Sequence, residues 1–183
     1  MTLYWPVKGS ANTVATVEAA IARARELGIQ HLVVASCSGE TASRFIGTGL
    51  SVVCVTHQVG FEAPGVDEMS PEMRERLSRA GVKLLTTTHL MAGLDRALRF
   101  KFGGLYPAEL IAATLRLFGH GLKVCVEISV MALDAGFIPA GVDVVAVGGT
   151  ASGADTAVVI RPAHSQHFFE TKIREIICKP RDF

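Results

Sequence analysis

The chain has no long apolar run, no basic tract and no closely spaced cysteine pair. None of its 183 residues belongs to a stretch apolar enough to cross a bilayer. The opening Met1-Thr-Leu-Tyr-Trp-Pro lacks the charged start and apolar core of a secretion signal, so a cytoplasmic location without membrane attachment is expected. The 18 Lys and Arg against 17 Asp and Glu leave a formal charge of +1, which speaks against a nucleic-acid partner. The four cysteines, Cys37, Cys54, Cys125 and Cys178, contain no C-x-x-C spacing, so no metal site is expected. Cys54, Cys125 and Cys178 lie in apolar, strand-like runs and read as small buried hydrophobes. Neither G-x-x-x-x-G-K-[ST] nor G-x-G-x-x-G occurs, which removes the lysine-clamped phosphate loop and the dinucleotide fingerprint. Internal repeats and low-complexity segments are absent as well.

What is present is a high apolar fraction, 49%, with a mean hydropathy of +0.37. That suits a sheet covered by helices on both faces, whose strands are nearly continuous apolar runs. A single domain over residues 1–183 is the expectation at this length. Residues 2–6 read as a short edge strand, and an Ala-rich helix runs from Thr13 to Leu27, with Asn12-Thr13 at its start and Gly28 at its end. Strands follow over 29–35 and 50–56, separated by a short helix to about Ile46. A helix over 71–80 opens at Ser70-Pro71, and a strand covers 82–87. Residues 90–98 read as helix, 100–106 as a glycine-hinged loop and 107–118 as helix. A fourth strand over 122–128 carries Glu127 near its end, a helix covers 129–135, and strands close the chain at 142–147, 157–160 and 173–178. This alternation specifies the α/β class: an open, mostly parallel sheet with helices on both faces.

Ligands of such sheets sit beyond the carboxyl ends of strands. That rule gathers Ser36, His57, His89, Glu127 and Gly148 at one rim. The stretch Ser36-Cys-Ser-Gly-Glu-Thr-Ala42 hands a strand to a helix, where free N–H groups and the helix dipole favour an anion. The same hydroxyls serve equally well as a helix cap. Gly148-Gly-Thr-Ala-Ser-Gly-Ala-Asp-Thr-Ala157 either lets a backbone approach a ligand closely or simply turns between strands. Asp155 within it either orients the loop or meets a ligand hydroxyl. Residues 57–70 form a long connection of the kind that is often functional. His57 and His89 are candidate bases, or else buried hydrogen-bonded histidines. Glu127 in an apolar run requires a partner or a raised pKa. Cys37, near a helix start that favours a thiolate, is a candidate nucleophile, although no base is positioned beside it by the sequence.

Ser-Gly-x-Thr-Ala after a Val-Val-Ala strand, followed by Val-Val-Cys-Val-Thr, resembles the C-terminal α/β domain of pyruvate kinases. The chain is also similar, over nearly its whole length, to a family of stand-alone proteins of archaea and some bacteria built from such a domain. Thr86–His89, Lys101–Gly104, Lys123–Ile128, Met131–Gly136, Gly148–Thr150, Gly153–Ala157 and Glu175–Arg181 carry that likeness. The resemblance implies flavin mononucleotide (FMN) or a similar phosphorylated ligand in the crevice. It puts the phosphate on Ser36, Ser38, Gly39, Glu40 and Thr41, with Cys37 in the same binding set. The rest of the ligand would face His57 after the second strand and Gly148, Gly149, Thr150, Gly153, Ala154, Asp155 and Thr156. It does not imply pyruvate kinase activity, because the catalytic barrel of that enzyme has no counterpart in these residues. The expected function is therefore binding of a phosphorylated small molecule by a sensor, carrier or regulatory domain. The alternative is a flavin-dependent or phosphate-ester enzyme that uses His57, His89 or Glu127. A homo-oligomer is expected, since the apolar content exceeds what one small domain easily hides.

Overall fold

The computed structural model describes all residues 1–183. Its seven strands are β1 (Leu3–Val7), β2 (His31–Ala35), β3 (Ser51–Val55), β4 (Lys83–Leu85), β5 (Val144–Gly148), β6 (Thr156–Arg161) and β7 (Lys172–Asp182). The helices are α1 (Thr13–Glu26), α2 (Glu40–Ser43), α3 (Pro71–Arg79), α4 (Gly93–Phe102), α5 (Pro107–Arg116) and α6 (His120–Asp134). One sheet runs in the order β1-β7-β6-β5-β2-β3-β4. The β1/β7, β2/β3, β2/β5 and β3/β4 pairs are parallel; only β6 runs against its neighbours.

The strands are apolar on both faces because both faces are covered. Leu32, Val34, Val52, Cys54, Val145 and Val147 pack with α1, Phe45, Met69 and Leu77 on one side. Val33, Val53, Val55, Val144, Ala146 and Val158 pack with α5 and α6 on the other. The period-2 alternation within each strand sorts neighbouring valines into the two cores. From β2 the chain builds outward through β3 and β4, whereas β5 lies on the opposite side of β2. The crevice between β2 and β5 is the switch point at which open α/β sheets hold their ligands.

The expected strand over 122–128 is a correction: these residues lie inside α6, which absorbs the short helix expected after it. Leu122, Lys123, Cys125, Val126, Glu127 and Ile128 are all buried in it. A helix sunk between a sheet and other helices has no polar stripe, so its apolar run has the composition of a central strand. Glu127 is accordingly a mid-helix residue and does not end a strand, and Cys125 is a buried helix residue. A second correction concerns Phe100–Phe102, which complete α4; the chain leaves the helix only at Gly103, with φ of 71°. The helix opened by Pro71 is capped as its sequence demands, Ser70 Oγ accepting from Met73 N at 3.2 Å.

Candidate functional site

The loop after β2 starts the site. Ser36 is buried, and its Oγ accepts from Thr41 N at 3.2 Å and Ala42 N at 3.4 Å. This hydroxyl caps α2 with its lone pairs, and its O–H donates to no protein acceptor. Gly39 adopts φ of 88°, and a Cβ there would lie 2.4 Å from Met73 Cγ, so the turn requires glycine. The N–H groups of Cys37, Ser38 and Gly39 donate to no protein acceptor. Ser38 and Glu40 are exposed, and Thr41 is buried beneath them.

The connection over 57–70 folds back across this loop. His57 Nδ1 meets Glu68 Oε1 at 2.6 Å, and Phe61 stacks on the His57 ring at 3.8 Å between centroids. Arg74 fixes the far end, donating to Asp67 Oδ2 at 2.7 Å and Thr86 Oγ1 at 2.9 Å. His89 lies edge-on to His57 at 5.3 Å and reaches Thr56 O at 3.4 Å. Burial lowers the His89 pKa, with the Glu127 carboxylate opposing.

Together these elements enclose a crevice with two chambers. The larger, about 580 Å³, is lined by Ser36, Cys37, Ser38 and Thr41 on one wall and by Gly149, Ala151, Ser152 and Gly153 on the other. The smaller, about 140 Å³, continues inward past Thr56, His57, Phe61 and His89 to α6. Their combined size falls within the range of small-molecule sites. Arg96, Arg116, His120 and Lys123 line the inner chamber, and Glu127 is its one carboxylate. Glu127 is 4% exposed; it accepts from Met91 N at 2.8 Å and forms a short ion pair with Lys123, itself 7% exposed. Glu127 therefore has the partner its position requires. Burial holds the Lys123 ammonium below its ordinary value despite that carboxylate. Burial, reinforced by the charges of Arg116 and Lys123, lowers His120 in the same way.

Three expectations change at this point. Burial pushes the Cys37 thiol up to about 11, opposite to the activated thiolate suggested by a helix start. The helix concerned is a single turn, Glu40–Ser43. Asp155 is fully buried outside the chamber walls, where Oδ2 accepts from Gly9 N at 3.0 Å and Oδ1 from Thr156 Oγ1 at 2.8 Å. It ties the segment before α1 to the sheet. Gly148, Ala154 and Thr156 are buried with it, and Ala154 N donates to Thr13 Oγ1 at 3.0 Å. Thr150 lies off the lining, its Oγ1 buried without a partner. Arg96, Arg116, His120 and Lys123 are not among the site residues that the sequence suggests. The signal for the last two was the spacing His120, Lys123, Glu127, three and four residues apart, which places them on one helical face.

A wider hollow of about 700 Å³ opens at the opposite, amino-terminal end of the strands, around Gly28, His31, Asp143, Arg174 and Glu175. Its charges are answered within the protein: Glu175 pairs with Arg23 at 2.8 Å, and Asp143 with Arg161 at 2.8 Å. No helix is long and apolar enough to cross a membrane.

The fold is an open, mostly parallel α/β domain with a crevice at the switch point of its sheet. Residues 14–160 match the family model described as pyruvate kinase, alpha/beta domain, and the chain belongs to that family. Among solved structures it is similar to a pyruvate kinase from Cryptosporidium parvum, at 16% identity and a TM-score of 0.44, over 84% of this chain and 23% of that one. A second structure, of pyruvate kinase from the same organism in complex with ADP, matches at 16% identity and a TM-score of 0.41, over 83% of this chain and 23% of the other. The chain thus spans about a quarter of the length of these enzymes.

Proposed function

We propose that the crevice binds a phosphorylated small molecule, with FMN the first candidate, and that the domain works as a sensor, carrier or regulatory module. One observation carries the reading: Arg96, Arg116, His120 and Lys123 converge on a chamber with a single carboxylate, which Lys123 already neutralises. The excess positive charge favours an anion, and guanidinium groups suit the oxygens of a phosphate. The unpaired N–H groups of Cys37, Ser38 and Gly39 add donors at the other wall. The stacked His57–Phe61 pair, with Arg96 at 5.4 Å from the Phe61 ring, presents a flat apolar face suited to an aromatic ring system. That face supports a flavin over a sugar phosphate. Self-association belongs to the same proposal: α4 buries no residue, and Leu94, Phe100, Phe102 and Leu117 are all exposed.

The test is a fluorescence titration of FMN with ligand-stripped protein, with riboflavin and fructose bisphosphate as competitors. Saturable quenching by FMN, at least tenfold weaker for riboflavin and for Arg116→Ala, is the expected result. Absence of quenching together with protection of the fold by fructose bisphosphate would replace the flavin by a sugar phosphate. No response to either ligand removes the proposal. The mass measured with and without FMN tests the assembly.

A further inference from the structure

Cys37, His57 and Glu68 arrive from three places: the loop after β2, the end of β3 and the far part of the 57–70 connection. Their ligand atoms, the Cys37 Sγ, a His57 ring nitrogen and a Glu68 carboxylate oxygen, lie within 4.8 Å of one another. Thiolate, imidazole and carboxylate are the three donor types that zinc accepts. The geometry points to a zinc ion held by Cys37, His57 and Glu68 in the wall of the larger chamber.

Two ligands of a tetrahedral zinc ion stand about 3.3–3.8 Å apart, given bond lengths of about 2.0–2.3 Å. The three atoms lie within 4.8 Å of one another, so shifts of about 1 Å bring them to that spacing. The 2.6 Å hydrogen bond between His57 Nδ1 and Glu68 Oε1 opens by roughly 1 Å to admit the ion. A thiolate and a carboxylate together neutralise the dication. On binding, the S–H proton of Cys37 passes to the buffer and its thiolate becomes the ligand, while the proton shared by His57 Nδ1 and Glu68 Oε1 moves to His57 Nε2 and leaves Nδ1 free to coordinate. A donor set of one sulfur, one nitrogen and one oxygen excludes magnesium and calcium, which require oxygen cages.

Three protein ligands leave the fourth position of zinc for water or a ligand oxygen, the arrangement of reactive rather than structural zinc. All three residues line the larger chamber, beside Ser36, Ser38 and Ser152, so that position belongs to the crevice. The support around the ligands is rigid. Asp67, next to Glu68, is held by Arg74 and by Met69 N at 3.0 Å, and Phe61 stacks against His57. Such outer contacts orient metal ligands. No spacing announces the site, because its ligands are 20 and 11 residues apart, with none of the local repeats of a zinc finger. The inference does not depend on the phosphate reading.

The experiment is a titration of chelator-treated, reduced, full-length protein with Co²⁺ and then Zn²⁺. One equivalent of Co²⁺ is expected to give a near-ultraviolet thiolate-to-cobalt band, which one equivalent of Zn²⁺ bleaches. Cys37→Ser should abolish the band, and Glu68→Gln should weaken zinc at least tenfold in competition with a chromophoric chelator, both with unchanged circular dichroism. Absence of the band, or an identical band in Cys37→Ser, overturns the assignment. Should Cys37→Ser fail to fold, unchanged zinc affinity in Glu68→Gln overturns it as well.

Discussion

The loops after β2 and after β5 face each other across one crevice, and they use their small residues for different ends. In the first, one glycine makes the turn at Gly39, and three backbone N–H groups are left pointing at no protein acceptor. In the second, the N–H groups of Gly149, Thr150, Ala151 and Gly153 likewise meet no protein acceptor, but the glycines themselves are packed against other segments. A Cβ at Gly149 would lie 2.4 Å from Gly153 O, one at Gly153 2.3 Å from Thr13 Oγ1, and one at Gly148 2.7 Å from Gly121 O. Gly148 at the end of β5 and Gly149 and Gly153 beyond it let the loop close on itself, on the start of α1 and on α6, while Gly149, Ala151, Ser152 and Gly153 still line the larger chamber. A glycine reports that something comes close, and only the fold says what.

The largest effect that would sharpen this contrast is expected at Gly153→Ala, with φ of 70° and a blocked Cβ. It should destabilise the domain by roughly 2–4 kcal/mol, seen as a lower urea midpoint with an unchanged m-value. A wild-type midpoint would mean that the close contacts of Gly153 with Ser10 and Thr13 do not constrain the loop. Next comes Asp155→Ala, which leaves the Gly9 N–H and the buried Thr156 hydroxyl without their shared acceptor. A loss of about 1–3 kcal/mol is expected, with FMN affinity per folded molecule preserved. Reduced affinity at unchanged stability would return Asp155 to the ligand. The smallest stability effect is expected at exposed Ser38→Ala, within about 0.5 kcal/mol of wild type, combined with several-fold weaker FMN quenching. A stability change without a binding change would erase the distinction between the loops.

The central strands were legible because burial on both faces makes β2, β3 and β5 continuous apolar runs between turn signals. The rim of Ser36, His57 and His89 followed from their places at strand ends. What the sequence hid is α6. Its residues 122–128 are as apolar as a strand, and the pattern of Lys123 and Glu127, four apart, was the single helical hint within that run. Missing the helix meant missing the basic chamber, since His120 and Lys123 face the crevice only once that segment is coiled. Arg96 and Arg116 were illegible for another reason. They come from two helices on one face of the sheet, and no local pattern relates their side chains to loops formed about 60 residues earlier.

The pairing of β1 with β7 governs the order in which the molecule can assemble. Leu3 lies opposite Cys178 and Val7 opposite Asp182, so the first strand made is joined only to the last. Pairing β1 with β7 closes a loop of about 175 residues, whereas pairing β2 with β3 closes one of about 20. Closing that long loop is the slowest of the strand pairings in prospect, and it also seats Gly9 against Asp155. The edge at β1 therefore acts as the latch of the fold, laying the first strand beside the last, in parallel.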